Sequence, residues 1–154
     1  MLSAASSKSY RINAPPGTDM FVKEKQIRFQ HCDPAGIVFY PHYFVLFQEL
    51  VEDWFNEGIG ESYAQFVKHH GMGLPMVKVE CEFLAPNSIG DTLALDLSVK
   101  RIGGSSITLG VRGVTRGKES LRATLTVVHA SLKNLKPVRV PDDLRSVMAR
   151  FMEP

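Results

Sequence analysis

A chain of 154 residues that is 44% apolar and 22% charged has the make-up of one folded domain with a buried core, which excludes disorder as its main state. Its formal net charge is only +2, and the basic residues are spread along the chain, so no surface that tracks a nucleic-acid backbone is expected. Cys32 and Cys81 are too few for a disulfide framework and fit a reduced, cytoplasmic setting, while no apolar run is long enough to span a bilayer.

Residues 1–19 are expected to be a disordered leader. They are rich in Ser and Ala, carry Lys8 and Arg11, and lack the unbroken apolar stretch of a secretory signal. An amphipathic targeting segment is the alternative. Pro15, Pro16 and Gly17 break structure, so the folded domain is expected over residues 20–154. In residues 21–29, Phe21, Ile27 and Phe29 share one parity and Glu24, Gln26 and Arg28 the other, which predicts a first strand. Residues 30–41, QHCDPAGIVFYP, are turn chemistry, and Pro41 suits the first position of a helix. Over residues 42–57, Phe44, Phe47, Leu50, Val51, Trp54 and Phe55 recur at helical steps. Val45 and Leu46 widen that stripe, so this long helix should be buried on most of its surface. Gly58 and Gly60 are expected stops, and a short second helix follows over residues 61–69.

Alternation then predicts antiparallel strands. Val77, Val79, Cys81 and Phe83 alternate with Lys78, Glu80 and Glu82, and Leu93, Leu95, Leu97 and Val99 with Ala94, Asp96, Ser98 and Lys100. Pro86, Asn87 and Gly90 mark the turn between them, and Gly103 and Gly104 the next. A strand over residues 105–115 has Gly110 or Gly113 at a bulge, and a last strand spans residues 121–132. Leu144, Val147, Met148 and Phe151 form a C-terminal helical stripe behind Pro141, Asp142 and Asp143. This order predicts an α+β domain in which a curled antiparallel sheet wraps around a long central helix, the hotdog architecture.

Residues 31–43 read HCDPAGIVFYPHY and closely resemble the Asp-containing motif of the 4-hydroxybenzoyl-CoA thioesterase family. Asp33, Pro34, Ala35, Gly36, Ile37, Val38, Tyr40, Pro41 and Tyr43 stand where that family has them, between a first strand and the central helix. The likeness in element order extends over residues 21–148. The resemblance implies hydrolysis of an aromatic, 4-hydroxybenzoyl-like, or short- to medium-chain acyl-CoA, with no metal or redox cofactor. It places the catalytic carboxylate on Asp33 and the N–H that binds the thioester carbonyl on Tyr40, with Gly36, Pro41 and His42 lining the substrate site. It further implies coenzyme A contacts near Arg101, Ser105 and Lys136, of which Lys136 matches best, and Arg139 is a further candidate. Chains of this family pair sheets edge to edge with active sites at the interface, so a homodimer or homotetramer is expected. His42 stands where the family usually has Asn, and Phe39 where one branch has Trp; both bear on acyl preference.

The residues carry their own argument. A thioester carbonyl gathers negative charge when attacked, and the first turn of a helix offers unpaired N–H groups at the positive end of the dipole. Asp33, a few residues earlier, can attack the carbonyl to give a mixed anhydride or activate a water, and the sequence leaves both routes open. By itself, Asp before Pro is a common turn starter. His31, Cys32 and Asp33 are adjacent and do not converge easily on a metal. Cys32 as a nucleophile lacks a base, since His31 faces the other way in extended chain. His69 and His70 are an exposed loop pair or line the acyl pocket, and His129 is a packed core histidine. Glu49, Glu52 and Asp53 form a polar helical stripe, with Glu49 a secondary candidate for the site. Two other classes remain: a hydratase or dehydratase recruiting His31 or His42, and a non-catalytic acyl-CoA-binding protein.

Overall fold

The computed structural model describes residues 19–154, so the expected leader, apart from Asp19, lies outside the described residues. Asp19 is tied to the far end of the chain: its N–H donates to the Arg150 carbonyl at 3.0 Å and its carboxylate meets Arg150 Nη2 at 2.7 Å.

The apolar–polar alternation read from the sequence builds one sheet, and the helical stripe lies in its hollow. In chain order the elements are β1 (Phe21–Gln26), α1 (Pro41–Asp53), α2 (Tyr63–Lys68), β2 (Met72–Gly73), β3 (Met76–Phe83), β4 (Thr92–Ile102), β5 (Ser106–Thr115), β6 (Lys118–Val128), β7 (Ala130–Ser131) and α3 (Asp142–Met148). Five strands pair antiparallel in the order β1-β4-β5-β6-β3, which leaves β1 and β3 at the edges. Leu93, Leu95, Leu97 and Val99 of β4, Ile107 and Leu109 of β5, and Leu125 and Val127 of β6 are buried. They meet Leu46, Phe47, Leu50 and Val51 of α1 in one core. The domain is thus α+β, a curled antiparallel sheet around a central helix, as its periodicity predicts.

Several boundaries differ from the sequence reading, each for a local reason. The first strand stops at Gln26 rather than running to residue 29. Ile27 N–H bonds to the Asp91 carbonyl, and Phe29–His31 forms a 3₁₀ turn that leaves the Phe29 side chain in solvent. The central helix is α-helical only to Asp53 and continues as a π-helical turn, Trp54–Ile59, which turns Trp54, Phe55 and Ile59 all inward. It closes on Gly60 at φ 85°. Burial of α1 is less complete than its composition suggests: Phe44 and Val45 are 38% and 56% exposed, because one sheet covers only one side. β3 is an edge strand rather than a cleanly half-buried one, with a register break between Met76 and Lys78 that leaves Val77 61% exposed. The last strand breaks at His129, whose N–H is taken by the Ser105 carbonyl at 2.7 Å, and β7 then pairs with β2 in a separate ribbon. The bulge in the β5–β6 pair falls beside Gly113, one of the two glycines proposed for it.

Because Phe47 is wholly buried in the centre of α1, Phe47→Ala should lower unfolding free energy by about 3–5 kcal/mol in urea titration. A loss below about 1 kcal/mol would mean that the helix is not held by this core.

Candidate active site

The loop from residue 31 to residue 40 folds into a small hairpin before it becomes a helix. Phe39 N–H bonds to the His31 carbonyl at 2.9 Å, Cys32 bridges Val38, and Asp33 N–H bonds to the Ile37 carbonyl at 3.0 Å. Gly36 sits at the turn with φ 79°, where a side chain would be strained, and its N–H reaches the Asp33 carbonyl at 2.9 Å. This hairpin returns the start of α1 to the segment that carries Asp33.

Asp33 is held on one side and open on the other. Its Oδ1 accepts the Ala35 N–H at 2.8 Å in an Asx turn. Its Oδ2 has no hydrogen-bond partner among the described residues. The helix start is open as well. Pro41 has no N–H, His42 N–H is taken by the Phe39 carbonyl at 2.9 Å and Tyr43 N–H by the Tyr40 carbonyl at 3.1 Å. The Tyr40 N–H therefore remains without an acceptor among the described residues, at the positive end of a 13-residue helix. A carboxylate oxygen and an N–H donor, both uncommitted and on one loop, are the two groups that attack on a carbonyl requires.

Rings cluster at this loop. His42 lies edge-on to His31 at 6.2 Å and to Phe39 at 6.1 Å, and Tyr40 lies edge-on to Phe44 at 6.5 Å and Phe83 at 6.4 Å. His31 Nδ1 accepts the Arg28 N–H at 2.9 Å, so the neutral ring carries its proton on Nε2. Burial holds the His31 pKa below the usual imidazole value; the neighbouring His42 and Arg28 push the same way, and Glu49 opposes them.

The remaining candidates divide clearly. Glu49 and Asp53 both bind Lys25, at 3.0 and 2.7 Å, and Lys23 binds Glu57 at 2.9 Å, so the helical carboxylates strap α1 to β1. Desolvation lowers the Lys25 pKa, but the hydrogen bonds it donates to Asp53 and Glu49, with their negative charge, outweigh it and leave the value raised. Cys32 Sγ points to the Arg28 carbonyl at 3.5 Å, and burial pushes the Cys81 thiol up to about 11, which keeps it protonated. His129 is buried, with Nδ1 2.9 Å from the Val138 carbonyl and its ring against Phe66, as the strand periodicity predicts. His69 and His70 are exposed; His70 lines a cavity of about 400 Å³ between α2 and α3, at the opposite end of α1 from Asp33. Among the described residues no group of three or more His, Cys, Asp or Glu side chains could hold a metal ion, and no helix is long and apolar enough to cross a membrane.

The expected coenzyme A contacts do not join Asp33 within one chain. The active loop adjoins the start of β4, where Gln26 faces Thr92, whereas Arg101 is near the far end of that strand, about 30 Å away at the usual rise per residue. Ser105 and Lys136 share that far end: Ser105 accepts from His129 N–H, and the Lys136 carbonyl takes Ser131 N–H at 2.9 Å. Arg145 joins them, its Nη2 donating to the Gly104 carbonyl at 3.2 Å. Arg139 faces Asp142 at 3.7 Å. The residue missed by the sequence is Asn87, read there only as a turn former. It is fully buried, and its carbonyl takes the Val38 N–H at 2.9 Å.

Comparison with known proteins places the chain in a family. The family model described as the thioesterase-like superfamily matches residues 27–148, and the chain belongs to that superfamily. It is 26% identical over 119 residues to a 1,4-dihydroxy-2-naphthoyl-CoA hydrolase of Acaryochloris marina, covering 76% of this chain and 85% of that one. It is 30% identical over 78 residues to a 4-hydroxybenzoyl-CoA thioesterase of a Pseudomonas species, covering 50% of this chain and 55% of that protein. Among solved structures, a gentisyl-coenzyme A thioesterase superposes with a TM-score of 0.75 at 26% identity, over 81% of this chain and 99% of that one. A thioesterase-superfamily protein of Jannaschia sp. superposes at 0.81 and 25% identity, over 92% and 99%. The hotdog fold read from the sequence is thus shared with these thioesterases, and this chain is a thioester hydrolase.

The lowered pKa of His31 has a consequence for stability. The unfolded chain, with an ordinary imidazole value of 6.5, binds the proton more readily than the folded one. Stability from this group is therefore complete above about pH 6.5 and falls as the pH drops through the lowered folded value. In His31→Asn, the decline in Tm between about pH 7 and pH 5 should be shallower than in the wild type. An equal decline in both would show that His31 is not the titrating group.

Proposed function

We propose that this enzyme hydrolyses aromatic acyl-CoA thioesters, with Asp33 Oδ2 as the reacting carboxylate oxygen and the Tyr40 N–H as the oxyanion donor. The observation that carries this reading is that the two groups are left uncommitted by a hairpin that satisfies the N–H groups around them. Attack by Oδ2 on the carbonyl carbon, or by a water that Oδ2 deprotonates, develops the same oxyanion toward Tyr40 N–H. A preset donor of this kind is worth about 3 kcal/mol in the transition state. The bond to sulfur then breaks and the coenzyme A thiolate leaves; a mixed anhydride, where formed, is opened by water. No step calls for a metal or a redox group. An aromatic acyl group is favoured by the ring-lined loop, with Phe39, Phe44 and Phe83 around Tyr40 and His42 against Phe39, and by relatives named for hydroxylated aryl substrates.

We propose also that the site is completed by a second copy. β3 is an unpaired edge, and Val77, Phe83 and Leu84 on or beside it are exposed together with Phe44 and Val45 of α1. Pairing two β3 strands about a two-fold axis reverses one sheet against the other. That reversal would bring Ser105 and Lys136 of the partner subunit toward Asp33, which supplies the phosphate contacts that one chain keeps about 30 Å away.

Thiol release from a panel of aromatic and aliphatic acyl-CoA esters tests the chemistry. Wild type should turn over an aromatic member, and Asp33→Asn should lose about a hundredfold or more in kcat while staying folded. A wild type that releases no thiol, or hydrates crotonyl-CoA instead, would overturn the reading. Sedimentation should find at least a dimer, and Val77→Glu should yield monomer with little turnover. Full activity in such a monomer would mean that each chain carries a whole site.

A further inference from the structure

We infer that Asn87 is the positioning residue of this site, setting the Asp33 hairpin against the first turn of α1. The inference rests on the thioesterase reading above and goes beyond it. Asn87 is wholly buried and uses both ends of its amide. Its Nδ2 donates to Tyr43 Oη at 2.7 Å and to Ser120 Oγ at 3.2 Å, and its Oδ1 accepts from Thr115 Oγ1 at 2.5 Å. Ser120 and Thr115 belong to β6 and β5, so the side chain is pinned to the sheet. Its main chain holds the other half of the site: the Asn87 carbonyl takes Val38 N–H at 2.9 Å, and two residues on, Ile89 N–H bonds to the Gly36 carbonyl at 3.0 Å.

One residue thus touches both parts that must be in register. Val38 lies in the hairpin that carries Asp33, and Tyr43 lies on α1, three residues past the Tyr40 N–H. Neither contact is replaceable from solvent, because Asn87, Tyr43 and Ser120 are all buried. A buried amide with its partners met is rigid, whereas an alanine there would leave the Tyr43, Thr115 and Ser120 hydroxyls without this partner. Asn87 touches neither the reacting atoms nor the free oxygen of Asp33; it acts through the loop and the helix. A shift of about 1 Å between carboxylate and oxyanion donor is enough to cost about a hundredfold in rate.

The test uses Asn87→Ala, and Tyr43→Phe as a milder variant that removes one hydroxyl and keeps the ring. Acyl-CoA turnover is measured in both, with Asp33→Asn as reference and as a second background. Amide hydrogen exchange over residues 33–43 is followed without substrate. Positioning predicts a fall in kcat of about tenfold or more with KM within about twofold. It predicts that the fall disappears in the Asp33→Asn background, and that Val38 exchanges at least about tenfold faster while the β4–β5 amides do not change. A kcat within about twofold of wild type in the folded variants overturns the inference, whatever happens to Tm. Should Asn87→Ala not fold, Tyr43→Phe decides by the same criteria. If the wild type itself releases no thiol, the thioesterase reading fails separately, and unchanged exchange at Val38 overturns the positioning role on its own.

Discussion

Everything in this domain follows from burying one apolar helix in one sheet. Leu46, Phe47, Leu50, Val51, Trp54 and Phe55 need an apolar surface wider than a flat strand pair, and β4, β5 and β6 provide it with their inward rows. Once the helix axis is fixed, its two ends have different chemistry. The C-terminal end is closed by the π turn and Gly60, and α3 packs beside it. The N-terminal end meets a loop, and there a donor is left over because Pro41 gives no N–H and the two residues beyond are satisfied. The end proposed to react is the part of the core's geometry that the core does not itself fill.

The polar contacts divide into those that strap strand to helix and those that tie the loop to helix and sheet. Lys23 and Lys25 against Glu57, Asp53 and Glu49 fasten the edge strand to the helix. The Asn87 cluster is buried and connects loop, helix and sheet. Buried networks of this kind fix one geometry, since a half-broken one is worse than none.

The fold was legible because periods of two and 3.6 are written in the apolar residues themselves: the Leu93, Leu95, Leu97, Val99 row is buried as its alternation predicts. The loop over residues 31–43 stood out because its turn residues carry a recognisable motif, and among the described residues Asp33 Oδ2 and the Tyr40 N–H are left without partners there. What escaped were features set by distant partners. The end of β1 depends on Asp91, the π turn on where Trp54 and Ile59 find room, and the role of Asn87 on Tyr43, Thr115 and Ser120, which are 28 to 44 residues away. The grouping of Arg101, Ser105 and Lys136 away from Asp33 is likewise a fact of strand direction, which no local pattern encodes.

The two borders of the sheet are not alike. On β1 the lysines at positions 23 and 25 turn inward and are claimed by helix carboxylates, so charge stands along that border. On β3 the border carries Val77 and Phe83 in the open. A second copy pairing through β3, as proposed above, would use the open margin and leave only the charged one. Such asymmetry would make a pairing through β3 its own terminator and would oppose open-ended growth of the sheet into a fibre.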